Sequence, residues 1–158
     1  MAFQFVGDEF EYIEEESEST VLAYLGYDSD ADASYFAAVT LSPFDDYVEY
    51  TFTVIRHRED NDEPFTSGLA TKGFFEEADR KAILSLILRA TELLLNWKEP
   101  PLVDRCTSDA DLQPKALVKH DLVSEVFKKC GYKVTDCGDW NGQKLWKAER
   151  VEGADDQE

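Results

Sequence analysis

The chain has 158 residues, 43% of them hydrophobic, and a formal net charge of −18 at pH 7. The apolar content suffices for one buried core, which excludes a disordered acidic chain and predicts a single domain over residues 1–151 with a disordered acidic tail over 152–158. The charge excludes direct binding to nucleic acid or to an anionic membrane, because both are polyanions, and favours a basic protein or a cationic amine as partner.

Four β-strands are predicted in the N-terminal third. They are rich in Val, Thr, Phe, Tyr and Ile, are separated by Ser, Asp, Gly and Pro, and cover residues 9–15, 20–27, 35–41 and 47–58. Within the last stretch, aromatic and aliphatic residues alternate with threonine, which is typical of a half-buried strand. Residues 59–71 have no apolar period and contain Pro and Gly, so they are predicted to form a loop.

A long helix is predicted over residues 75–97. Its first turn carries Glu76, Glu77 and Asp79, whose negative charges suit the positive end of the helix dipole, and Pro100 follows its end. The apolar side chains cover more than one stripe, so we expect the helix to be buried on most sides. These side chains are Ile83, Leu84, Leu86, Ile87, Leu88, Leu93, Leu94, Leu95 and Trp97.

The remaining elements are a strand, a second helix and a hairpin. The strand covers residues 102–106, the helix covers 118–130 and ends before a glycine suited to a left-handed cap, and the hairpin joins 133–140 to 143–151 through an Asn-Gly turn. The predicted order is ββββ-α-β-α-ββ. This order predicts an α+β fold in which two packed helices cover one mixed, mostly antiparallel sheet.

The C-terminal part resembles a known family. The string His120-Asp-Leu-Val-Ser-Glu-Val-Phe-Lys-Lys-Cys-Gly-Tyr132, followed by the hairpin ending Leu145-Trp-Lys-Ala-Glu-Arg150, resembles the closing portion of the N-acetyltransferase superfamily. In that family an Asn-led helix of the form N-x-x-A-x-x-L-Y-x-x-x-G-F runs into two final strands. The element order is similar over residues 20–150, and the motif over 120–150; short members encoded by phages are similar too.

The resemblance implies a protein that uses acetyl-coenzyme A and transfers its acyl group to a cationic amine. The family's Asn, which contacts the pantetheine arm, falls on His120, which can also form hydrogen bonds. Ser124, on the same helix, is assigned to the same cofactor site. Because Ser124 has no His or acidic residue at nucleophile spacing, a hydrolase triad has no support.

The family's phosphate loop is matched in part. It should read Arg or Gln, two residues, Gly, one residue, then Gly or Ala, so that backbone amides hold the pyrophosphate at a helix N-terminus. In residues 65–70, Gly68 and Ala70 fit this pattern, whereas Phe65 replaces the polar residue. The alternative is that Gly68 and Gly73 are ordinary loop and cap glycines. The family's cofactor enters where two central strands splay apart, which is expected next to Gly68.

Four basic residues near this loop are predicted to lie near the cofactor phosphates. They are Arg56, His57 and Arg58, at the end of the preceding strand, and Lys72, just before the helix. The alternative is that the arginines form surface ion pairs with neighbouring carboxylates. The carboxylates considered are Glu59, Asp60 and Asp62.

The catalytic pattern is incomplete. The family's frequent general acid, a Tyr, falls on Phe127, which has no proton to give. Glu49, on the strand leading to the loop, is the candidate general base for the amine. The predicted enzyme is therefore an acyl-coenzyme A N-acyltransferase with degraded catalytic motifs.

The charge distribution supports a second hypothesis. Residues 1–63 carry a net charge of −15, residues 64–150 carry +1 and residues 151–158 carry −4. A non-catalytic acidic binding or inhibitor protein on the same scaffold would dock a basic protein surface and imitate the spaced negative charge of DNA. The near-neutral second half leaves coenzyme A compatible with the first hypothesis.

The other candidate residues are assigned structural roles. Cys106, Cys130 and Cys137 lack CxxC spacing, so reduced thiols and no metal site are expected. Three aromatic residues of the terminal hairpin are expected to pack across its strands as part of the core: Tyr132, Trp140 and Trp146. No membrane-length apolar run or signal peptide is present, which predicts a cytoplasmic protein.

Overall fold

The fold is seen in a computed structural model that describes residues 3–7, 9–65, 73–107, 114–140 and 143–151. In these residues, nine strands and two helices form an α+β structure with one sheet. The elements are β1 (Phe3–Phe5), β2 (Phe10–Glu14), β3 (Ser19–Asp28), β4 (Ala33–Pro43), β5 (Val48–Arg58), β6 (Asn61–Phe65), α1 (Glu77–Lys98), β7 (Leu102–Cys106), α2 (Pro114–Lys129), β8 (Tyr132–Trp140) and β9 (Gln143–Arg150).

The sheet is mixed and mostly antiparallel. Its strand order is β1-β3-β4-β5-β7-β9-β8, with β2 also pairing with β3 and β6 also pairing with β5. The pairing of β5 with β7 is parallel and joins Val48 to Val103 and Glu49 to Asp104. The long helix α1 forms the crossover between these two strands, as a parallel pair requires.

Both helices pack on one face of the sheet and form one core with it. Alternate residues of the strands, such as Val21, Val39 and Val103, are buried against the helices together with Leu94 of α1 and Phe127 of α2. Because successive strand residues point to opposite faces, the residues between them lie on the other face of the sheet. This division decides on which side of the sheet each described candidate site residue lies.

Helix α1 is buried along one face, not on most sides. It begins after Glu76, which makes no side-chain cap, and ends where Glu99 adopts a left-handed conformation and donates its amide to the Leu95 carbonyl. The buried residues are Ile83, Ile87, Ala90, Thr91, Leu94 and Leu95. Trp97 is 36% exposed, so its predicted burial is wrong: its ring contacts Tyr12 of β2, which is itself 48% exposed.

Helix α2 begins earlier than the sequence pattern predicts. It starts at Pro114, four residues before the predicted start, and proline suits the first helical position because its missing N–H would be unpaired there. The helix ends at Lys129. Gly131 adopts a φ of 94°, in keeping with the predicted glycine cap.

The predicted order was four strands before the first helix, and the structure has six. The prediction of a loop over residues 59–71 is wrong for Asn61–Phe65, which forms β6; its residues 66–71 lie outside the described part. Strand β6 lies at an edge, where Pro64 is tolerated, and cross-strand pairs between charged residues stabilise it against β5. Strand β1 has only three residues, too few for an alternating pattern to be visible.

The terminal hairpin has the predicted strands. β8 pairs with β9 from Tyr132–Arg150 to Trp140–Gln143, with an irregularity between Asp136 and Asp139. The Asn-Gly turn and the predicted tail over 152–158 lie outside the described residues. Neither helix in the described ranges has the length and apolar character needed to cross a bilayer.

Gly26 is placed where a side chain would collide with backbone. Its φ is 155°, and a Cβ atom built there would lie 2.0 Å from the carbonyl oxygen of Gln4 in β1. We expect Gly26→Ala to lower the free energy of unfolding by about 3 kcal/mol, because β1 must move away or the backbone must strain. Denaturant unfolding measures this, with Gly73→Ala as control: a Cβ at Gly73 meets no described atom within 4 Å, so its effect should stay within about 0.5 kcal/mol. Equal effects of the two changes would contradict the prediction.

Candidate functional site

The candidate site lies where strands β5 and β7 move apart. After the two parallel pairs that end at Glu49 and Asp104, β5 pairs with no residue of β7, and from Val54 onward its edge pairs with β6. Strand β7 instead continues along β9 as far as Cys106. Residues 50–53 of β5 therefore have no strand partner on this edge in the described part of the chain. We call this region the β5/β7 divergence.

Arg105 lies beside the divergence, buried on the helix-covered face. It is 4% exposed, and its Nη2 donates hydrogen bonds to the His120 carbonyl at 2.9 Å and to the Ser124 hydroxyl at 2.7 Å. Its guanidinium lies over the rings of Trp146, at 4.6 Å, and Phe127, at 5.5 Å. Burial lowers the pKa of Arg105 to about 10. No carboxylate among the described residues forms an ion pair with this buried cation, an arrangement that costs free energy.

His120 lies between two aromatic rings in the same cluster. It stacks on Trp146, with ring centroids 5.2 Å apart and planes 18° apart, and its other neighbour is Phe52 of β5, at 5.8 Å. Burial, with smaller contributions from the charges of Arg105 and Lys119, lowers the pKa of His120 to about 4, so the imidazole is neutral at pH 7. Within the described residues, His120 Nδ1 and Arg105 Nε are the two buried side-chain nitrogen atoms without a hydrogen-bond partner.

The opposite face of the divergence is acidic. Glu49 and Asp104 are register partners, and both alternate with residues buried under the helices, so their side chains lie on the opposite face. Lys147 contacts both carboxylate oxygens of Asp104 at 3.3 Å. Cys106 follows on the same face, and burial, together with the charges of Glu49 and Asp104, raises the pKa of its thiol. The divergence thus separates a buried cationic cluster from a pair of carboxylates.

The structure brings together two of the predicted site residues, places a third on the opposite face of the same region, and separates two others from them. His120 and Ser124 meet at Arg105, and Glu49 lies at the base of the divergence. Arg56 and Arg58 lie at the far end of β5, seven and nine residues beyond Glu49, which places Arg56 roughly 23 Å along the strand.

Both of these arginines form ion pairs on the surface of the β5–β6 hairpin. Arg56 donates two hydrogen bonds to Glu63, at 3.2 and 3.0 Å, and Arg58 donates one to the same carboxylate at 3.2 Å. Arg56 also lies over the rings of Phe65 and Phe74. Ion pairing was the alternative prediction, but the partner is Glu63 and not one of the three carboxylates considered, because β6 is a strand that places Glu63 directly opposite Arg56.

Several predicted residues cannot be placed or differ from expectation. Gly68, Ala70 and Lys72 lie outside the described residues. The three cysteines lie within them and form no disulfide, although Cys137 is exposed and is not a core thiol. No group of three or more His, Cys, Asp or Glu within the described ranges could hold a metal ion.

The aromatic residues predicted to be structural follow the prediction where they can be seen. Tyr132 and Trp146 are 3% and 4% exposed, and Tyr132 donates a hydrogen bond to the Pro100 carbonyl at 2.6 Å. Phe127 is 1% exposed and contacts Tyr50, whose hydroxyl lies 2.6 Å from that of Thr91. Phe127, the residue that the predicted resemblance assigns to the family's general acid, is therefore an apolar ring inside the core.

Arg105 was missed in the sequence analysis, although a signal was present. In the strand Leu102–Cys106, Arg105 has the same parity as Val103, so the alternation that predicts Val103 to be buried also points Arg105 inward. A charged residue at an inward position is uncommon and marks either a buried ion pair or a ligand contact. The burial pattern of β7 confirms that both residues point inward.

Comparison with models of protein families, with curated proteins and with solved structures finds no match to this chain. The resemblance to the N-acetyltransferases is therefore carried by the residues quoted from the sequence alone, and the family assignment stays a prediction.

The buried neutral state of His120 predicts a dependence of stability on pH. Because the pKa in the folded protein, about 4, lies below the ordinary value of 6.5, His120 contributes stability that is fully present above pH 6.5 and is lost as the pH falls towards 4. The expected loss is roughly 3 kcal/mol across this interval. Urea unfolding at several pH values should show a weaker dependence in His120→Phe than in the wild type. Leu122→Gln, which alters a 39% exposed residue of the same helix without adding a titratable group, is the control and should keep the wild-type profile; a His120→Phe profile parallel to the wild type would refute the assignment.

Proposed function

We propose that the protein binds an acyl-coenzyme A at the β5/β7 divergence and transfers the acyl group to a cationic amine. The observation that carries this proposal is the divergence itself: two adjacent parallel strands pair over two residues and then separate beside a buried polar cluster. The strand order β3-β4-β5-β7-β9-β8, with helices before β7 and β8, is consistent with the N-acetyltransferase-like arrangement that the sequence motif implies.

The residues at the helix-covered side fit an amide-rich or thioester-bearing ligand. Arg105 Nε carries a hydrogen that it donates to no described atom, and His120 Nδ1 is also unpaired. Buried polar atoms normally have partners, and a ligand carbonyl or amide would supply them. In this proposal Arg105, His120 and Ser124 hold the end of the pantetheine arm, while Gly68, Ala70 and Lys72 remain the predicted contacts of the phosphates.

The acceptor amine would approach from the acidic face. Glu49 has no ion-pair partner among the described residues, whereas Asp104 is engaged by Lys147. A free carboxylate at this position attracts a cationic amine and can accept its proton, directly or through water. Bound acyl-coenzyme A supplies the activated acyl group. Phe127 has no proton to donate, so the coenzyme A sulfur leaves as the thiolate when the acyl C–S bond breaks and then takes a proton from water.

A second candidate function is a non-catalytic acidic protein that docks a basic protein surface. One observation favours it specifically: the first turn of α1 carries Glu77 and Asp79, with Glu76 before them. These carboxylates already satisfy the positive end of the helix dipole and would repel a pyrophosphate at that terminus. The buried Phe127 also favours the non-catalytic protein, because it stands where the family has its general acid and cannot donate a proton.

Binding of the cofactor is tested by isothermal titration with acetyl-coenzyme A. We expect a dissociation constant in the micromolar range and a loss of at least about tenfold in Arg105→Met, because the methionine fills the volume without the donor. Arg89→Met, which removes an exposed arginine of α1, is the control and should bind as the wild type does. Absence of heat and of any thermal shift with millimolar acetyl-coenzyme A would refute the acyltransferase proposal and leave the acidic binding protein.

The role of Glu49 is tested by steady-state acetylation of a polyamine. Glu49→Gln keeps the shape and removes the base, so kcat should fall by about a hundredfold while the affinity for acetyl-coenzyme A stays unchanged. Glu125→Gln, at an exposed position on α2, should have wild-type kinetics. A Glu49→Gln variant with an unchanged kcat would remove Glu49 from the mechanism without affecting the binding site.

A further inference from the structure

The face of the sheet opposite the helices has no cover among the described residues. Both helices pack on the other side, where they share one core with the inward residues of β3, β4 and β5. Three rows of register-matched residues form the centre of the opposite face: Tyr24, Phe36 and Ile55; Leu22, Ala38 and Thr53; Thr20, Thr40 and Thr51. We call these nine residues the open face.

The open face has a composition that solvent alone does not explain. A sheet with one solvated face normally alternates apolar with polar or charged residues. Nearly a third of this chain is charged, yet all nine positions of the open face are apolar, aromatic or threonine. The rings of Tyr24 and Phe36 are in contact, with centroids 5.3 Å apart, and Ala38 is buried by its neighbours. Of the nine residues, Thr51 is exposed, Thr20 and Ala38 are buried between their neighbours and the other six are partly exposed, so together they form a continuous uncharged surface. A continuous uncharged surface of this kind is typical of an interaction site.

The border of the open face is acidic on three sides. Glu11 of β2 lies beside Leu22, and Glu49 follows Thr51 at the lower end of β5. Neither of these glutamates has an ion-pair partner in the described part of the chain. At the upper end, Asp62 is hydrogen-bonded to His57. At the lower end, Asp104 forms an ion pair with Lys147, which partly neutralises this carboxylate.

Acidic turns extend this border beyond both strand ends. The chain reverses between β3 and β4 and between β5 and β6 at one end of the sheet, and between β2 and β3 and between β4 and β5 at the other. The carboxylates in or beside these turns are Asp28, Asp30, Asp32, Glu59 and Asp60 at the first end, and Glu14, Glu15, Glu16, Glu18, Asp45 and Asp46 at the second. Only Glu14 among them forms an ion pair in the described residues, with Lys98.

We propose that the open face docks a basic, amphipathic segment of another protein. The apolar stripe of that segment would lie on the rows centred on Phe36 and Ala38, and its lysines or arginines would lie over the acidic border. The central rows supply apolar area, and the border supplies charge complementarity, which sets specificity and the rate of association. A second copy of this chain is the wrong occupant. Two such faces would bring the same acidic turns together, and each chain carries a net charge of −18.

The docking face is separate from the helix-covered side of the β5/β7 divergence. Residues Arg105 and His120 lie on the other side of the sheet, so a failure of acetyl-coenzyme A to bind leaves the docking proposal intact. If instead the docking proposal fails, the variants of the open face should still bind acetyl-coenzyme A with the wild-type affinity. The two proposals share Glu49, which borders the open face, and the open-face variants leave Glu49 unchanged, so their failures can be told apart.

The experiment uses the full chain and a synthetic helical peptide of about 18 residues with a leucine stripe flanked by lysines, long enough to span the open face. Fluorescence anisotropy should give a micromolar dissociation constant. Raising the salt from about 50 to about 500 mM should weaken binding about tenfold or more, because salt screens the attraction between exposed charges. A scrambled peptide of equal composition, which lacks the stripe, and a peptide with Glu in place of Lys should both fail to bind.

The variants locate the binding. Phe36→Thr with Ile55→Thr keeps residues that favour strands while removing apolar area, and should weaken binding at least about tenfold. Thr51→Lys, at an exposed position, adds a repelling cation without removing packing and should also weaken binding. The control is Phe44→Ser, which removes a 53% exposed aromatic ring from the β4–β5 turn.

The outcomes divide cleanly. Loss of binding in both open-face variants, with Phe44→Ser and thermal melting unchanged, supports the proposal. Equal binding of the lysine peptide to wild type and variants, binding of the scrambled peptide, or no binding at low salt would overturn it. Sedimentation gives a further test. A wild-type dimer that Phe36→Thr with Ile55→Thr dissociates would also overturn the proposal, because a second copy of the chain would then occupy the open face.

Discussion

The short parallel pairing of β5 and β7 is the constraint on which the candidate site depends. Two residue pairs hold the strands together, and beyond them β5 follows β6 while β7 follows β9. On the helix-covered face beside this gap, His120 stacks on Trp146 and lies 5.8 Å from the tilted ring of Phe52, and the Arg105 guanidinium lies over the Trp146 ring. Backbone pairing thus decides that a guanidinium and an imidazole are buried together, and burial then shifts both pKa values downward.

The two faces of the sheet have different chemistry because of strand alternation. Neighbouring residues of β7 point in opposite directions, so Arg105 is buried under the helices while Asp104 and Cys106 lie on the other face. The same alternation in β5 separates Tyr50 from Glu49. One short segment therefore presents a buried cation to one side and carboxylates to the other, and both proposals for function use this separation.

The chain has few basic residues in its N-terminal part, and those it has are engaged. Arg56 and Arg58 share Glu63, and His57 binds Asp62. The remaining carboxylates in the turns at both ends of the sheet have almost no cationic partners among the described residues. Mutual repulsion of this kind costs stability, and binding of a basic surface would relieve it. The uncharged open face lies between these two acidic ends, which is why the charge pattern and the apolar pattern point to the same kind of partner.

The sequence by itself determined the α+β class, most of the strand and helix positions, the glycine cap at Gly131 and the burial of Tyr132 and Trp146, because alternation, helical period and turn residues are local signals. It also determined the acidic first half. Only the tertiary structure decided that residues 61–65 form a strand, since their pairing with β5 overrides a polar, proline-containing composition. It likewise decided that Arg105 joins His120 and Ser124, which are far from it in the sequence. It also decided that the helices of the described ranges cover only one face of the sheet, because long-range packing carries no local pattern.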